Sequence, residues 1–324
     1  MDLLNNKVGS KIEGFCLIKT FDKKTARNGS IFIDLLISDK GGDLSAKIWD
    51  YDPLTHDRFA SGMLVKIRGT LSQYNGADQI SVNLIREITP EDNVNMDDFV
   101  LGAPYSEQEL YDSLIQMVEG FKNKDFKLIV STLLKEKKEE LLMYPAAVRM
   151  HHAMRGGLIY HTMSVLELAK VIAKIYPFVD EELLISGAIL HDIAKCEEYV
   201  VNDVGSASEY TPQGILIGHL VRGAMYVEQI ASANDISREN AMVLEHLILS
   251  HHGIPDFGSA VKPAMIEAEI LSMVDMMDAK VFQIAEALGK VQQGQFTDKL
   301  WGLESRKFYK YALFTDTKAI IDNK

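Results

Sequence analysis

The sequence predicts a small closed β-barrel of the OB kind followed by an all-α helical bundle. Three observations carry this. Over residues 1–90 the apolar residues alternate with polar ones or form short β-prone runs; from Ser106 onward they recur at helical spacing; and residues 91–105, with Pro104 and a cluster of Asp and Asn, read as a linker. The expected domains are therefore 1–90 and 106–324 on either side of that linker.

In the first domain Ile12 to Lys19 is apolar and β-prone, and Lys23-Lys24-Thr25-Ala26-Arg27-Asn28-Gly29-Ser30 reads as a polar, basic loop. Ile31 to Ser38 is a second strand, with Ile31, Ile33, Leu35 and Ile37 expected inside and Phe32 outside. Asp39-Lys40-Gly41-Gly42 is a turn signal, and Asp43 to Trp49 alternates cleanly, placing Lys47 and Trp49 on the outer face. Residues 53–61 suit a short helical turn. Met63 to Tyr74 and Gln79 to Arg86 flank Asn75-Gly76, a hairpin cue because both positions tolerate positive φ. Five strands with that insertion fit a Greek-key barrel.

In the second domain Ser106 and Glu109 have capping-box spacing ahead of Leu110, Leu114, Met117, Val118 and Phe121. Further helices are expected over 123–142, 157–175, 181–198, 214–232, 237–252, 263–290 and 300–314, with few strand signals. Apolar residues of the last two, Trp301 among them, suit either a homo-oligomer interface or completion of the core.

The formal net charge of −12 argues at first against a polyanionic partner, but it is unevenly distributed. The first 90 residues carry 12 Lys and Arg against 11 Asp and Glu, so the remaining 234 carry 22 against 35. Two distant cysteines, Cys16 and Cys196, argue against a disulfide framework and for a reducing cytoplasm. No stretch approaches the ~18 apolar residues of a membrane span, and no signal peptide is expected from Met1 to Lys7.

Eight of the nine histidines lie between His151 and His252. Of these, His161, His191, His219 and His251-His252, with Asp192 and Asp275, fall on helical segments rich in apolar residues. An imidazole or carboxylate on a core-facing stripe is costly unless it is paired or coordinated. Several such helices converging in one bundle would form a metal site, and the mixed ligands suit Mn²⁺, Fe²⁺, Co²⁺ or Zn²⁺ rather than Ca²⁺.

The order His161, His191-Asp192, His219, His251, Asp275 resembles the signature of HD-domain metal-dependent phosphohydrolases over about residues 150–285, and His191-Asp192-Ile193-Ala194-Lys195 resembles the HD-x-x-K form of two-metal members. That resemblance implies His161, His191, Asp192 and Asp275 around one ion, and Asp192 bridging to a second ion held by His219 and His251. The string His151-His152-Ala153-Met154-Arg155-Gly156-Gly157-Leu158, the run from His251-His252-Gly253 to Pro263, and Asp278-Ala279-Lys280, together with the barrel, are similar to the YhaM family of bacterial 3′→5′ exoribonucleases. Cyclic-dinucleotide phosphodiesterases of HD-GYP type share the His-Asp and His-His elements, but here Gly253-Ile254-Pro255 follows His252 and no Gly-Tyr-Pro appears. A small-nucleotide phosphodiesterase and a binding module with a structural helical core are the alternatives.

Two ions about 3.5–4 Å apart lower the pKa of a water, align it and stabilise the leaving oxygen of a phosphodiester. Asp192 would set their separation, and Lys195, one turn after His191, would meet a phosphate oxygen or the leaving group. Arg155 and Arg222 are weaker candidates for phosphate contacts. On the barrel, Phe32 and Trp49 interleaved with Lys47, Lys66 and Arg68 suit stacked bases and paired phosphates of single-stranded RNA, with single-stranded DNA as an alternative.

Overall fold

The computed structural model describes residues 6–314, apart from 27, 40–41, 75–76, 93, 95–105, 148–154, 203–204 and 206. The Asn75-Gly76 turn, most of the expected linker and His151-His152 lie outside the described residues. The chain divides into two compact units, Met1–Gly102 with Val201–Ser208, and Ala103–Val200 with Glu209–Lys324.

The first unit is a closed five-stranded barrel: β1 (Lys11–Thr25), β2 (Ile31–Asp39), β3 (Gly42–Ile48), β4 (Leu64–Tyr74) and β5 (Ala77–Glu87), in the order β1-β2-β3-β5-β4. All neighbours are antiparallel except β3 and β5, which run parallel through Ser45↔Gln79, Ala46↔Ile80 and Lys47↔Ser81. A short helix, α1 (Pro53–His56), sits between β3 and β4 with Asp52 as its cap. Ile33, Leu35, Ile37, Ala46, Ile48, Val65, Ile67 and Ile80 fill the interior, the alternation expected of strands buried on one face.

Two expectations for the barrel need correction. Lys23, Lys24 and Thr25 are not loop: β1 continues to Thr25, opposite Ile31 at the start of β2. Ion pairs favour the extension: Lys24 Nζ lies 2.6 Å from Asp34 across on β2, and Lys23 Nζ lies 2.7 Å from Asp57 at the end of α1. Ile31, at the far end of that extension, is 47% exposed rather than interior.

The second unit is helical: α2 (Glu107–Glu119), α3 (Lys124–Glu136), α4 (Lys138–Met143), α5 (Gly157–Ile175), α6 (Glu181–Leu190), α7 (Lys195–Glu198), α8 (Pro212–Leu216), α9 (Gly218–Ala233), α10 (Arg238–Ser250) and α11 (Ile266–Gly289). The starts follow capping chemistry: the side chains of Ser106, Asn123 and Asp180 accept from backbone N–H groups of α2, α3 and α6. Leu158, Val165, Leu184, Ala188, Val227, Leu244, Leu247, Leu271 and Val274 belong to one continuous core.

Two further expectations fail here. β6 (Tyr199–Val201) and β7 (Ala207–Tyr210) form a two-stranded sheet where few strand signals were read. Residues 300–314 are not a helix: beyond a 3-10 turn at Trp301–Leu303 the chain folds back through Phe296↔Tyr309 and Leu300↔Arg306 bridges, and Glu304 and Ser305 adopt positive φ. Aromatics at Phe308, Tyr309 and Tyr311 favour that extended pairing.

Gly187 governs how the helices meet. A Cβ there would lie 2.3 Å from Leu247 Cδ2 and 3.2 Å from Leu271 Cδ2, both on fully buried side chains that would have to shift. The missing methyl lets α6 approach α10 and α11. Gly187→Ala is expected to lower stability by about 1–3 kcal/mol through overpacking. An unchanged thermal midpoint would refute the close approach.

Candidate metal centre

Five helices and one turn deliver the site. His161 stands in the second turn of α5, His191 follows the last residue of α6, and Asp192 opens the turn into α7, which begins with Lys195. His219 is in the first turn of α9, His251 directly follows α10, and Asp275 and Asp278 lie one helical turn apart on α11. His161, His191, Asp192 and His251 are essentially buried.

The ligand atoms fall into two groups, His161, His191 and Asp275 in one, and Asp192, His219, His251 and His252 in the other, with the atoms of each group within 4.8 Å of one another. Asp192 joins them. Its Oδ2 is 3.7 Å from His161 Nε2 and 3.5 Å from His191 Nε2, whereas its Oδ1 is 3.4 Å from His219 Nε2 and 3.5 Å from His251 Nε2. Asp275 Oδ1 completes the first group at 3.1 Å from His161 Nε2 and 3.9 Å from His191 Nε2. Lys195 Nζ lies 2.6 Å from Asp192 Oδ2.

The far side of each ring decides what faces inward. Nδ1 of His191 lies 2.9 Å from the Ala188 carbonyl, and Nδ1 of His251 lies 2.7 Å from the Ile248 carbonyl. Nδ1 of His161 is 2.7 Å from the Asp278 carboxylate, and Nδ1 of His219 is 2.5 Å from Glu198 Oε2, though not aligned for a hydrogen bond. The carbonyl acceptors on Nδ1 of His191 and His251 place the proton there and turn those Nε2 lone pairs toward the centre, and Asp278 holds the Nδ1 proton of His161 in the same way. His161 and His191 bring their Nε2 atoms within 3.3 Å, a separation that a shared proton or a cation beside them would satisfy. Nε2 of His219, Nε2 of His251 and Oδ1 of Asp192 are buried without a hydrogen-bond partner. Such atoms are costly alone and satisfied by a metal. The residues fit divalent ions.

The electrostatics agree. Burial opposes charge on His161, yet Asp275 and Asp278 outweigh it and hold the imidazole at about 9, the mark of a pocket that favours positive charge. Burial pushes His251 down to about 3 and lowers His191 as well, which keeps both as neutral ligands. Burial likewise opposes the Asp192 anion, but Lys195 and the surrounding imidazoles keep it well below the ordinary carboxylate range.

An HD domain model matches residues 158–280, the stretch that carries every ligand named above. The TraI_2 helicase model matches residues 94–183 and overlaps its start. The chain is 37% identical over 308 residues to the 3′-5′ exoribonuclease YhaM of Bacillus subtilis, covering 95% of this chain and 97% of that protein. The chain belongs to the YhaM family. The YhaM protein of Listeria welshimeri is 38% identical over the same shares of each chain. Among solved structures, the PriB protein of Ralstonia solanacearum is 13% identical and covers 25% of this chain and 100% of its own, with a TM-score of 0.22. That likeness adds nothing to what the strand order of the barrel already shows.

The structure separates the barrel residues that the sequence placed on one face. Phe32, Lys47 and Trp49 come together on the outside of β2 and β3: the rings are 4.9 Å apart, and Lys47 Nζ lies 5.1 Å from Phe32 and 5.5 Å from Trp49. Trp49 is 45% exposed, but Phe32, expected to be open, is only 9% exposed because Trp49 and Lys47 cover it. Lys66 and Arg68 lie elsewhere. They belong to β4, which β1 separates from β2 and β5 separates from β3, and both pair with Glu13, at 3.4 and 2.8 Å. Arg155 is half-buried just before α5, and Arg222 is held by Glu197 at 2.8 Å.

Three residues of this YhaM-family site escaped the sequence reading of roles. Asp278 was visible only as part of a string, although its spacing from Asp275 puts both on one helical face. Glu198 is seven residues from His191 and gave no periodic signal. His252 joins the second group, with its ring centre 4.3 Å from that of His251 and 5.2 Å from that of His219.

Proposed function

We propose that this chain removes nucleotides from the 3′ end of single-stranded RNA and releases nucleoside 5′-monophosphates, with two divalent ions held by the two ligand groups. As a member of the YhaM family it is a metal-dependent 3′-5′ exoribonuclease, a hydrolase of phosphodiester bonds. The observation that carries the two-ion reading is the division of Asp192, with one oxygen facing each set of imidazole nitrogens. Bound ions supply the charge that activates a water and stabilises the anionic phosphate. Mn²⁺ is the ion we infer, with Co²⁺, Fe²⁺ and Zn²⁺ as alternatives open to the same donors.

The chain's own residues do the rest. His161, His191 and Asp275 would hold one ion, His219 and His251 the other, and Asp192 would serve both. Lys195, anchored on Asp192, presents its ammonium to a phosphate oxygen or to the departing 3′-oxygen. Residues 1–90 act as the nucleic-acid-binding domain and 106–324 as the hydrolase. Phe32, Trp49 and Lys47 offer a stacking platform with a cation beside it, and Lys66, Arg68 and Arg155 meet phosphates. Cys16 and Cys196 are buried free thiols, which suits a cytoplasmic setting. No helix among the described residues is long and apolar enough to cross a membrane.

Incubation of 5′-labelled single-stranded RNA with Mn²⁺ is expected to give a ladder that shortens from the 3′ end, with 5′-monophosphates as products. Internal cuts, or inert RNA alongside hydrolysed cyclic dinucleotides, would overturn the reading. A labelled DNA strand run in parallel measures the sugar preference, which turns on contacts to the 2′-OH.

A further inference from the structure

The segment after α11 forms a small hairpin. Gly294 N–H donates to the Lys310 carbonyl at 2.7 Å, Lys310 N–H to the Gln295 carbonyl at 2.9 Å, Thr297 N–H to the Phe308 carbonyl at 2.8 Å and Leu300 N–H to the Arg306 carbonyl at 3.0 Å. Lys310 is tied back on the Val291 carbonyl at 3.0 Å, and Leu303 is buried. The hairpin is therefore anchored, yet it presents large rings outward: Trp301 is 86% exposed, Phe296 61% and Tyr311 53%. Phe296 and Tyr309 pair across the strands at 5.0 Å, and the Arg306 guanidinium lies 5.3 Å from the Phe308 ring.

Its composition is more basic than that of the chain beyond residue 90, although Lys310 is buried and Arg306 lies 3.8 Å from Glu304. Residues 294–314 carry four Lys and Arg against two Asp and Glu, although residues 91–324 as a whole carry 22 against 35. Lys299, Arg306 and Lys307 are exposed. Exposed rings alternating with cations match a strand whose bases stack and whose phosphates pair. A second copy of the chain fits less well, because a twofold contact would crowd these cations against their own counterparts.

We propose that this hairpin is a second single-stranded RNA-binding surface, built on the helical unit and separate from the barrel face. The proposal rests on the reading of the chain as an RNA nuclease. It gives an otherwise acidic body a local attraction for the substrate.

The test measures binding of a 5′-fluorescent single-stranded RNA of about 20 nucleotides by anisotropy, on the full chain carrying Asp192→Asn to suppress turnover. Adding Trp301→Ala and Lys307→Ala together is expected to raise Kd about tenfold and to flatten its salt dependence by about one phosphate contact. Lys299→Ala with Lys307→Ala, which leaves every ring in place, is expected to reproduce the salt effect with a smaller rise in Kd. An unchanged Kd in both, while Trp49→Ala weakens binding, would overturn the hairpin site and leave the nuclease reading standing. An unchanged Kd with a loss of oligomer by light scattering would assign the surface to a second copy and overturn the proposal equally. No RNA binding by the parent chain would sink both readings.

Discussion

Asp192→Asn is expected to reduce RNA hydrolysis about a thousandfold or more and to remove most bound divalent metal, while the protein stays helical. The carboxylate is the single group shared by both sets of imidazoles, so on the two-ion proposal its loss would disturb both positions at once. Several kcal/mol of transition-state stabilisation depend on such ions, and each 1.36 kcal/mol is a factor of ten in rate. Asn matches Asp in shape but offers one neutral oxygen and an amide where two anionic oxygens stood. The stability effect is separate. Lys195 is buried against Asp192 at 2.6 Å, and stripping one partner from a buried pair costs about 3–5 kcal/mol when the remaining charge finds no other. Asp275 and Glu198 remain near Lys195, so the loss should fall at or below the low end of that range. Circular dichroism with a thermal melt reads the fold, metal analysis of the purified protein reads the site, and the labelled-RNA assay reads turnover. Metal content and rate equal to those of the parent would refute the bridging role.

Asp278→Ala and Glu198→Ala are each expected to weaken metal affinity by about 10- to 100-fold, and to do so on different ions. The carboxylate behind a ligating imidazole fixes its tautomer, orients the ring and raises its basicity. Asp278 does this for His161 in one group, and in the other Glu198 lies beside Nδ1 of His219, where a small turn of the ring would align the same contact. Calorimetric titration with Mn²⁺ should show two binding steps, with the Asp278 variant displacing one and the Glu198 variant the other. Asp278→Asn keeps an oxygen near His161 Nδ1 and should recover part of the loss, which separates orientation from charge. If both alanine variants displaced the same step, the division of the site into two ion positions would be wrong.

The two classes of structure were legible to different degrees. The barrel could be read because strands buried on one face alternate, and Ile33, Leu35, Ile37, Ala46 and Ile48 all do so. The boundaries of β1 were not, because Lys23 and Lys24 look like loop until their partners Asp57 and Asp34, distant in sequence, are placed beside them. Helices with a core-facing stripe and a cap, such as α2 and α6, were plain. The C-terminal hairpin was misread as helix, since Trp301, Phe308 and Tyr311 also fit a helical stripe, and only the positive φ at Glu304 and Ser305 makes the reversal. The metal-site histidines stood out because charged or ligating groups on apolar helices are conspicuous. Which residues stand behind them could not be read: a carbonyl such as that of Ala188 has no sequence signature, and Glu198 reaches His219 only through tertiary packing. The basic barrel residues were individually correct as surface groups, but strand order, not alternation, decides which of them share a face.

His191 and His251 each stand at the residue that closes a helix, α6 and α10, and each accepts its orientation from a carbonyl of that helix's own last turn. The C-terminal end of a helix carries roughly half a negative elementary charge from its aligned peptide dipoles. Two such ends meet at the site here, against one N-terminal end, that of α9 at His219. Part of the attraction for cations thus comes from main-chain dipoles that no side-chain substitution removes, and histidine variants at either position should keep a weak residual affinity for divalent ions. Extending α6 or α10 by one turn would shift that field by about 5.4 Å along the axis, so the lengths of these two helices are as much a part of the ion-binding design as the ligands at their ends.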